Sequence, residues 1–263
     1  MWKQSLKNLL YRAAPRWTTE LMSARARAYS QKMIASWGCG EVNRLLVEHF
    51  GMTVLSGPMA GLKLTELANR EQLGPYLLGI YESELDSVWH ELLGHSYMQI
   101  VDIGAKFGYY AVGLARRYPE TPVVAFDTDW WARRAIRELA EANKTTNVEV
   151  CGYCSPDWIS SHVKPEALVI SDCEGFEGVL FSEQTIKVLA QVTLIVETHD
   201  CFVPGVSDRL EKLFSQSHHC RRVGLTEVRR PSPVNLDFLT ADQRKLAEHE
   251  VRDRQVWLVC TPR

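Results

Sequence analysis

Acidic residues close one short apolar run after another in this chain. Ile100-Val101 leads into Asp102, Val123 to Phe126 into Asp127, Ala167 to Ile170 into Ser171-Asp172-Cys173-Glu174, and Val192 to Val196 into Glu197-Thr198-His199. A small-residue turn, Gly104 to Gly108, follows the first. Glycines there let the backbone pass close to a ligand and turn sharply into a helix, while a carboxylate ending the next strand can accept both hydroxyls of a ribose. Residues 97–130 thus form a strand-loop-helix-strand unit suited to a nucleoside cofactor. The later runs add His199, Asp172, Glu174 and Glu197, which can supply a general base for an acceptor. A divalent ion held by Asp172, Glu197 and His199 is an alternative, since mixed carboxylate and imidazole donors suit Mg or Mn, but the base is favoured and no metal is assigned.

These residues can meet only if the intervening elements gather the strand ends. Ala111, Leu114, Ala115 and Tyr118 have helical core spacing after the glycine turn, and Ala132, Ala135, Ile136, Leu139 and Ala140 do so after Asp127. Strands alternating with helices at this length predict a parallel sheet, whose ligands sit outside the carboxyl ends of the strands. Val148-Glu149-Val150, Arg221 to Val223 and Gln255 to Cys260 read as further strands. Ser207 to Phe214 reads as a helix, and Thr240-Ala241-Asp242-Gln243 as a capping box opening another. Met52 to Leu55 and Leu62 to Leu64 suggest a small hairpin around Gly57-Pro58. Residues 67–94 read as helical, interrupted at Gly74-Pro75, with Tyr81 and the nearby acids Glu82 and Glu84 placed to line the cofactor pocket or to open a helix. Glu177 is read as structural, pointing into the following helix or turn.

Gly104-Ala105-Lys106-Phe107-Gly108 lacks the three-glycine spacing that sets a helix N-terminus on a pyrophosphate, and Asp102 ahead of it would repel a diphosphate. An acid there suits a cofactor with an amino group or a sulfonium, and S-adenosylmethionine has both. The candidate cofactor-contacting residues are Tyr81, Asp102, Gly104, Lys106, Gly108, Tyr109, Asp127, Thr128, Gly152, Tyr153 and Asp172.

The chain resembles class I S-adenosylmethionine-dependent methyltransferases, most closely the FkbM-type group. Val101 to Tyr110 is similar to that group's first motif, Ala125-Phe126-Asp127 to its ribose-binding strand end, and Ser171 to Glu177 to its Asp-x-Glu-Gly-x-Glu signature. Leu78 to Glu84 and Glu197-Thr198-His199 are weaker matches, and the resemblance spans about residues 57 to 226. It implies a Rossmann-like three-layer α/β sandwich with a mostly parallel seven-strand sheet and an antiparallel last strand. It also implies methyl transfer, often to a hydroxyl. Lys106 stands where the group commonly has Asn, and Asp127 where Glu is more frequent. The absence of an Asn-Pro-Pro-Tyr-like motif after strand four counts against methylation of a base or amide nitrogen, and leaves small metabolites and sugars.

Composition narrows the partners. With 263 residues, 46% of them hydrophobic, and a net charge of -2, the chain can bury a full core and carries no global basic field for nucleic acid. Residues 1–50 read as a helical extension or cap and 51–263 as the methyltransferase domain. Lys3, Lys7, Arg12, Arg16, Arg25, Arg27 and Lys32 face a lone acid, Glu20, before Trp37. A basic N-terminal helix could touch a membrane surface weakly, and a catalytically silent scaffold built on it is the competing reading. A methyltransferase for RNA or protein is a third. The expected partner is a small-molecule substrate, with a homodimer left open. Cys151 and Cys154 have zinc-knuckle spacing but no second pair in register, so they read as ordinary thiols. The odd, scattered set of 7 cysteines suggests a reduced, cytoplasmic protein rather than a disulfide framework.

Overall fold

The computed structural model describes residues 38–66, 73–224, 232–250 and 255–263, with isolated positions between 14 and 32. The basic segment 1–37 lies almost wholly outside them. Short apolar runs become strands: β1 (Ile100–Ile103), β2 (Val123–Phe126), β3 (Val148–Cys151), β4 (Leu168–Ser171), β5 (Thr193–Thr198), β6 (His218–Gly224) and β7 (Val256–Pro262). They form one sheet in the order β3-β2-β1-β4-β5-β7-β6. The pairings from β3 through β5 are parallel, and β7 runs antiparallel to both β5 and β6. This is the mostly parallel seven-strand sheet that the resemblance implied.

β1, β2, β4 and β5 are buried throughout, because helices cover both sheet faces and leave no solvent side for polar alternation. Alternate residues feed two separate cores. Ile100, Val123, Leu168, Ile170 and Ile195 pack on one face, and Val101, Ile103, Val124, Val169 and Leu194 on the other. The first core is closed by α1 (Cys39–Phe50), α2 (Leu73–Leu78), α3 (Asp86–Leu92), α4 (Tyr109–Arg117) and α5 (Trp130–Asn143), through residues such as Leu46, Leu77, Trp89, Leu114 and Ile136. The second is closed by α6 (Pro156–His162), α7 (Glu177–Leu180), α8 (Ile186–Leu189) and α9 (Val206–Phe214), through Ile159, Leu180, Leu189 and Phe214. A last helix, α10 (Ala241–Glu248), returns to the first core through Ala247, and Thr240 with Gln243 forms the expected capping box at its start. Among the described residues no helix is long and apolar enough to cross a membrane.

Three local readings change. The helical stretch expected over residues 67–94 breaks at residues 79–82, while Gly74-Pro75 lies within α2; residues 67–72 lie outside the described ones. The hairpin of residues 52–64 shrinks to a single antiparallel bridge, Thr53 to Lys63. Cys220 and Cys260 stand opposite each other across β6 and β7 and are joined as a disulfide, against the expectation of free thiols alone. The other cysteines within the described residues are free, Cys151 and Cys154 included.

The register sets the strand ends level. Ile103 lies between Phe126 and Ser171, so Asp102, Asp127 and Asp172 gather on one rim. The chain crosses that rim at Gly104, whose N–H donates to the Phe126 carbonyl at 2.8 Å. Gly104 has φ +86°, and a Cβ there would lie 1.6 Å from the Asp172 carbonyl oxygen. Gly205 has a similar φ of +77° but open space around it. Gly205→Ala should therefore cost about 1 kcal/mol of backbone strain, and Gly104→Ala roughly 3 kcal/mol or more, because backbone must also move. Urea denaturation of both variants checks this, and equal losses would show that the close approach to Asp172 has no energetic consequence.

Candidate functional site

Below the glycine turn lies a narrow cleft. Of the residues singled out from sequence, Tyr81, Asp102, Gly104, Lys106, Tyr109 and Asp172 line it, joined by Glu82 from the same segment as Tyr81. Tyr76 and Trp257 also line it and were not anticipated. Trp257 could have been found only by knowing that β7 pairs with β5, which sets it opposite Glu197. Tyr76 gives no sequence signal beyond being an aromatic in an apolar helix. It stacks on Tyr81 at 4.0 Å and meets Phe107 edge-on at 4.8 Å, building an aromatic wall. A wider surface groove along α1, lined by Asn43, Arg44 and Glu48, lies apart from the strand ends and gathers no comparable chemistry.

Like Glu82, Asp102 is a buried acid lining this cleft. Its carboxylate takes the Ala111 backbone N–H at the start of α4, and its Oδ2 has no hydrogen-bond partner among the described residues. Burial pushes its pKa up to about 7, with the nearby charges of Asp172 and Asp127 adding to the shift. Asp127 is likewise pushed up to about 7 by burial. Its oxygens accept the Lys106 N–H at 2.9 Å and the Asp129 N–H at 2.8 Å, which fixes the plane of the carboxylate and leaves further lone pairs for a diol. Lys106 reaches that N–H contact in the left-handed region, φ 52°, which an Asn adopts more readily than a Lys. Its ammonium donates to the Tyr76 hydroxyl at 3.3 Å. Gly108, φ 94°, caps α4. Gly108, Asp127, Thr128, Gly152 and Tyr153 are not among the lining residues: Asp127 stands beside the cleft through its bond from Lys106, the Thr128 carbonyl accepts from Arg133 at 2.8 Å, and Tyr153 packs on Phe176 at 5.5 Å.

Beyond Asp172 lies a second group centred on His199, which is fully buried. Its Nε2 stands 3.4 Å from Asp172 Oδ1, 3.5 Å from Glu174 Oε2 and 3.5 Å from Glu197 Oε2. The candidate catalytic residues thus meet at one atom. Glu177 departs from its reading. It does not point into the following turn but reaches back to β5, where Oε1 accepts the His199 backbone N–H at 2.8 Å and faces Nδ1 at 3.3 Å. Its Oε2 takes the Gly175 N–H at 2.8 Å. Burial alone would raise the Glu177 pKa, but the bonds from His199 hold it below the ordinary carboxylate range. Burial would likewise lower His199, yet Glu177, Asp172 and Glu174 outweigh it and raise its pKa. The half-exposed Phe202 ring stacks beside the imidazole at 5.8 Å.

No family model and no curated protein matches the sequence. Among solved structures, a protein of Klebsiella pneumoniae described as a candidate O-methyltransferase aligns over 88% of this chain and 99% of its own, at 12% identity and TM-score 0.49. An rRNA methylase from Streptococcus thermophilus aligns over 68% and 96%, at 12% identity and TM-score 0.49. An O-methyltransferase of tomaymycin synthesis from Streptomyces achromogenes, solved in complex with SAM, aligns over 69% and 80%, at 14% identity and TM-score 0.46. Likeness at this level concerns the fold alone and adds nothing to the strand order above.

The raised pKa of Asp102 makes stability depend on pH. Its folded value lies above the ordinary carboxylate value of the unfolded chain, so the folded state binds the extra proton. The associated stability is present in full below pH ~4 and is lost as pH rises through about 7. Asp102→Asn keeps an acceptor for the Ala111 N–H without the charge. It should therefore raise the melting temperature at pH 8 and flatten the decline between pH ~4 and pH ~7. A variant that melts below the native chain at pH 8 would contradict this.

Proposed function

We propose that the chain is an S-adenosylmethionine-dependent methyltransferase of the FkbM type, acting on a hydroxyl of a small metabolite or sugar. Asp172 carries this reading, since it lines the cleft and also stands 3.4 Å from His199 Nε2, making one carboxylate common to a cofactor cleft and an acceptor group. The residues fit the cofactor. The unpartnered Asp102 Oδ2 offers a buried acceptor to a cationic ligand, and the fixed Asp127 carboxylate offers one to a ribose. Residues 51–263 are assigned as the catalytic domain, with α1 (Cys39–Phe50) packed onto its first core through Val42 and Leu46.

When bound, the cofactor supplies a methyl group on a sulfonium: the acceptor oxygen bonds to that carbon as the sulfur–carbon bond breaks, its electron pair remaining on sulfur. The chain's own residues set up this transfer. Asp102 in the cleft and Asp127 beside it, tied to the turn by the Lys106 N–H, would hold the donor, while the Tyr76, Tyr81 and Phe107 rings would exclude water. The carboxylates and imidazole around His199 take the acceptor's proton, and Glu177 is the positioning residue that orients the ring.

Calorimetry with S-adenosylhomocysteine tests the cofactor half of the proposal. The native chain should bind it, and Asp127→Ala should weaken binding about tenfold or more, the loss expected when a charged hydrogen-bonding partner is removed. No binding by the native chain, or binding that Asp127→Ala leaves unchanged, would remove the proposed cofactor.

A further inference from the structure

The group around His199 has a feature that proton removal does not require. One ligand atom from each of Asp172, Glu174 and His199 lies within 4.8 Å of the other two, and His199 Nε2 is 3.4 Å from Asp172 Oδ1 and 3.5 Å from Glu174 Oε2. The imidazole is wholly buried, and neither its Nε2 nor Asp172 Oδ1 has a hydrogen-bond partner among the described residues. At Nδ1 the ring faces the buried Glu177 carboxylate. A carboxylate there favours the tautomer with its proton on Nδ1, which turns the Nε2 lone pair toward the oxygens of Asp172, Glu174 and Glu197. A lone pair facing carboxylate oxygens is repulsive unless something positive stands between them.

The spacing identifies what can stand there. Nε2 is 3.4 and 3.5 Å from the Asp172 and Glu174 oxygens, too far for a well-formed hydrogen bond. Donors about 2.1 Å from one ion stand about 3.0 to 3.4 Å apart, according to whether their angle is octahedral or tetrahedral. A second carboxylate behind the ring is the usual support of a metal-bound histidine. We propose that Asp172, Glu174 and His199 bind a divalent cation, with Glu177 as the positioning carboxylate behind the imidazole. One nitrogen with carboxylate oxygens selects a hard to borderline ion of the Mn2+ class over thiophilic metals. Glu174 is 69% exposed and Asp172 32%, so the site opens toward solvent and keeps positions for water or an acceptor oxygen.

The role of the ion rests on the methyl-transfer reading; its binding does not. A cation bound here lowers the pKa of a coordinated hydroxyl. With Nε2 engaged, the hydroxyl proton passes to Glu197, whose Oε2 is 3.5 Å from that nitrogen, and the resulting alkoxide oxygen forms the new bond to the methyl carbon.

The test uses the full chain after chelator treatment, with Mn2+ alone followed by electron paramagnetic resonance and homocysteine-cofactor binding measured separately by calorimetry. One Mn2+ per chain is expected. Glu174→Gln, on an exposed side chain that the fold does not need, should weaken it about tenfold or more, and Glu177→Gln about 10- to 100-fold. His199→Gln should remove it, but Glu174→Gln decides the matter should His199→Gln fail to fold. No Mn2+ bound by the native chain, or equal binding by Glu174→Gln, overturns the cation site and leaves a proton on Nε2 instead. S-adenosylhomocysteine binding without Mn2+ binding sinks the cation while sparing the cofactor, whereas Mn2+ binding without S-adenosylhomocysteine binding does the reverse.

Discussion

Carboxylates taken out of water at the ends of adjacent parallel strands are the constraint on which this site depends. An isolated buried carboxylate is costly, and such groups persist only when hydrogen bonds or opposite charges compensate them. The fold provides a different compensation for each. Asp102 takes an N–H from the first turn of α4, and Asp127 two N–H groups from its own loop and the glycine turn. Glu177 takes two backbone N–H groups and the imidazole of His199. The atoms left without a hydrogen-bond partner among the described residues are Asp102 Oδ2 in the cleft, and Asp172 Oδ1 with His199 Nε2 beyond it, the groups to which the proposed ligands are assigned. The part of the burial cost that these bonds leave uncompensated raises the pKa of Asp102 and Asp127.

The fold was largely legible in the sequence because a short apolar run closed by an acid suits a buried parallel strand and little else. Each expected strand of the main sheet begins within a residue of its place, apart from β6, which begins three residues before Arg221, while the expected hairpin of residues 52–64 is a single bridge. That strand carries the basic His218 to Arg222 on an outer edge, where hydrophobic periodicity is weak. The break at residues 79–82 was missed because the lone Gly79, at φ 74°, is a weaker sequence signal than the Gly74-Pro75 pair before it. The free-thiol expectation failed at Cys220 and Cys260 because a cross-strand pairing over 40 residues leaves no trace in local spacing.

The site was legible as a set of residues, and less so as a set of contacts. Asp102, Asp127, Asp172, Glu174, Glu197 and His199 could be named from strand ends alone. The partner of Glu177, at the start of α7, lies 22 residues away just past the end of β5, and only the sheet order, with β4 beside β5, brings it near. Lys106, hard to account for in a motif that commonly has Asn, becomes clearer at φ 52°, a position that suits Asn and that Lys occupies at some cost. Its ammonium adds a cation near the mouth of the cleft, in contact with Tyr76.

Gly104 lies against the Asp172 carbonyl, while the Asp172 side chain stands next to His199. The glycine turn and the imidazole are therefore two contacts of a single residue, with no helix or loop between them. Binding energies are reciprocal, so whatever the turn does to the position of Asp172, a ligand at His199 must return to the turn with equal magnitude. On the proposed reading, the affinities for a ligand in the cleft and for one at His199 are thus joined through Asp172, and neither is tuned in isolation from the other.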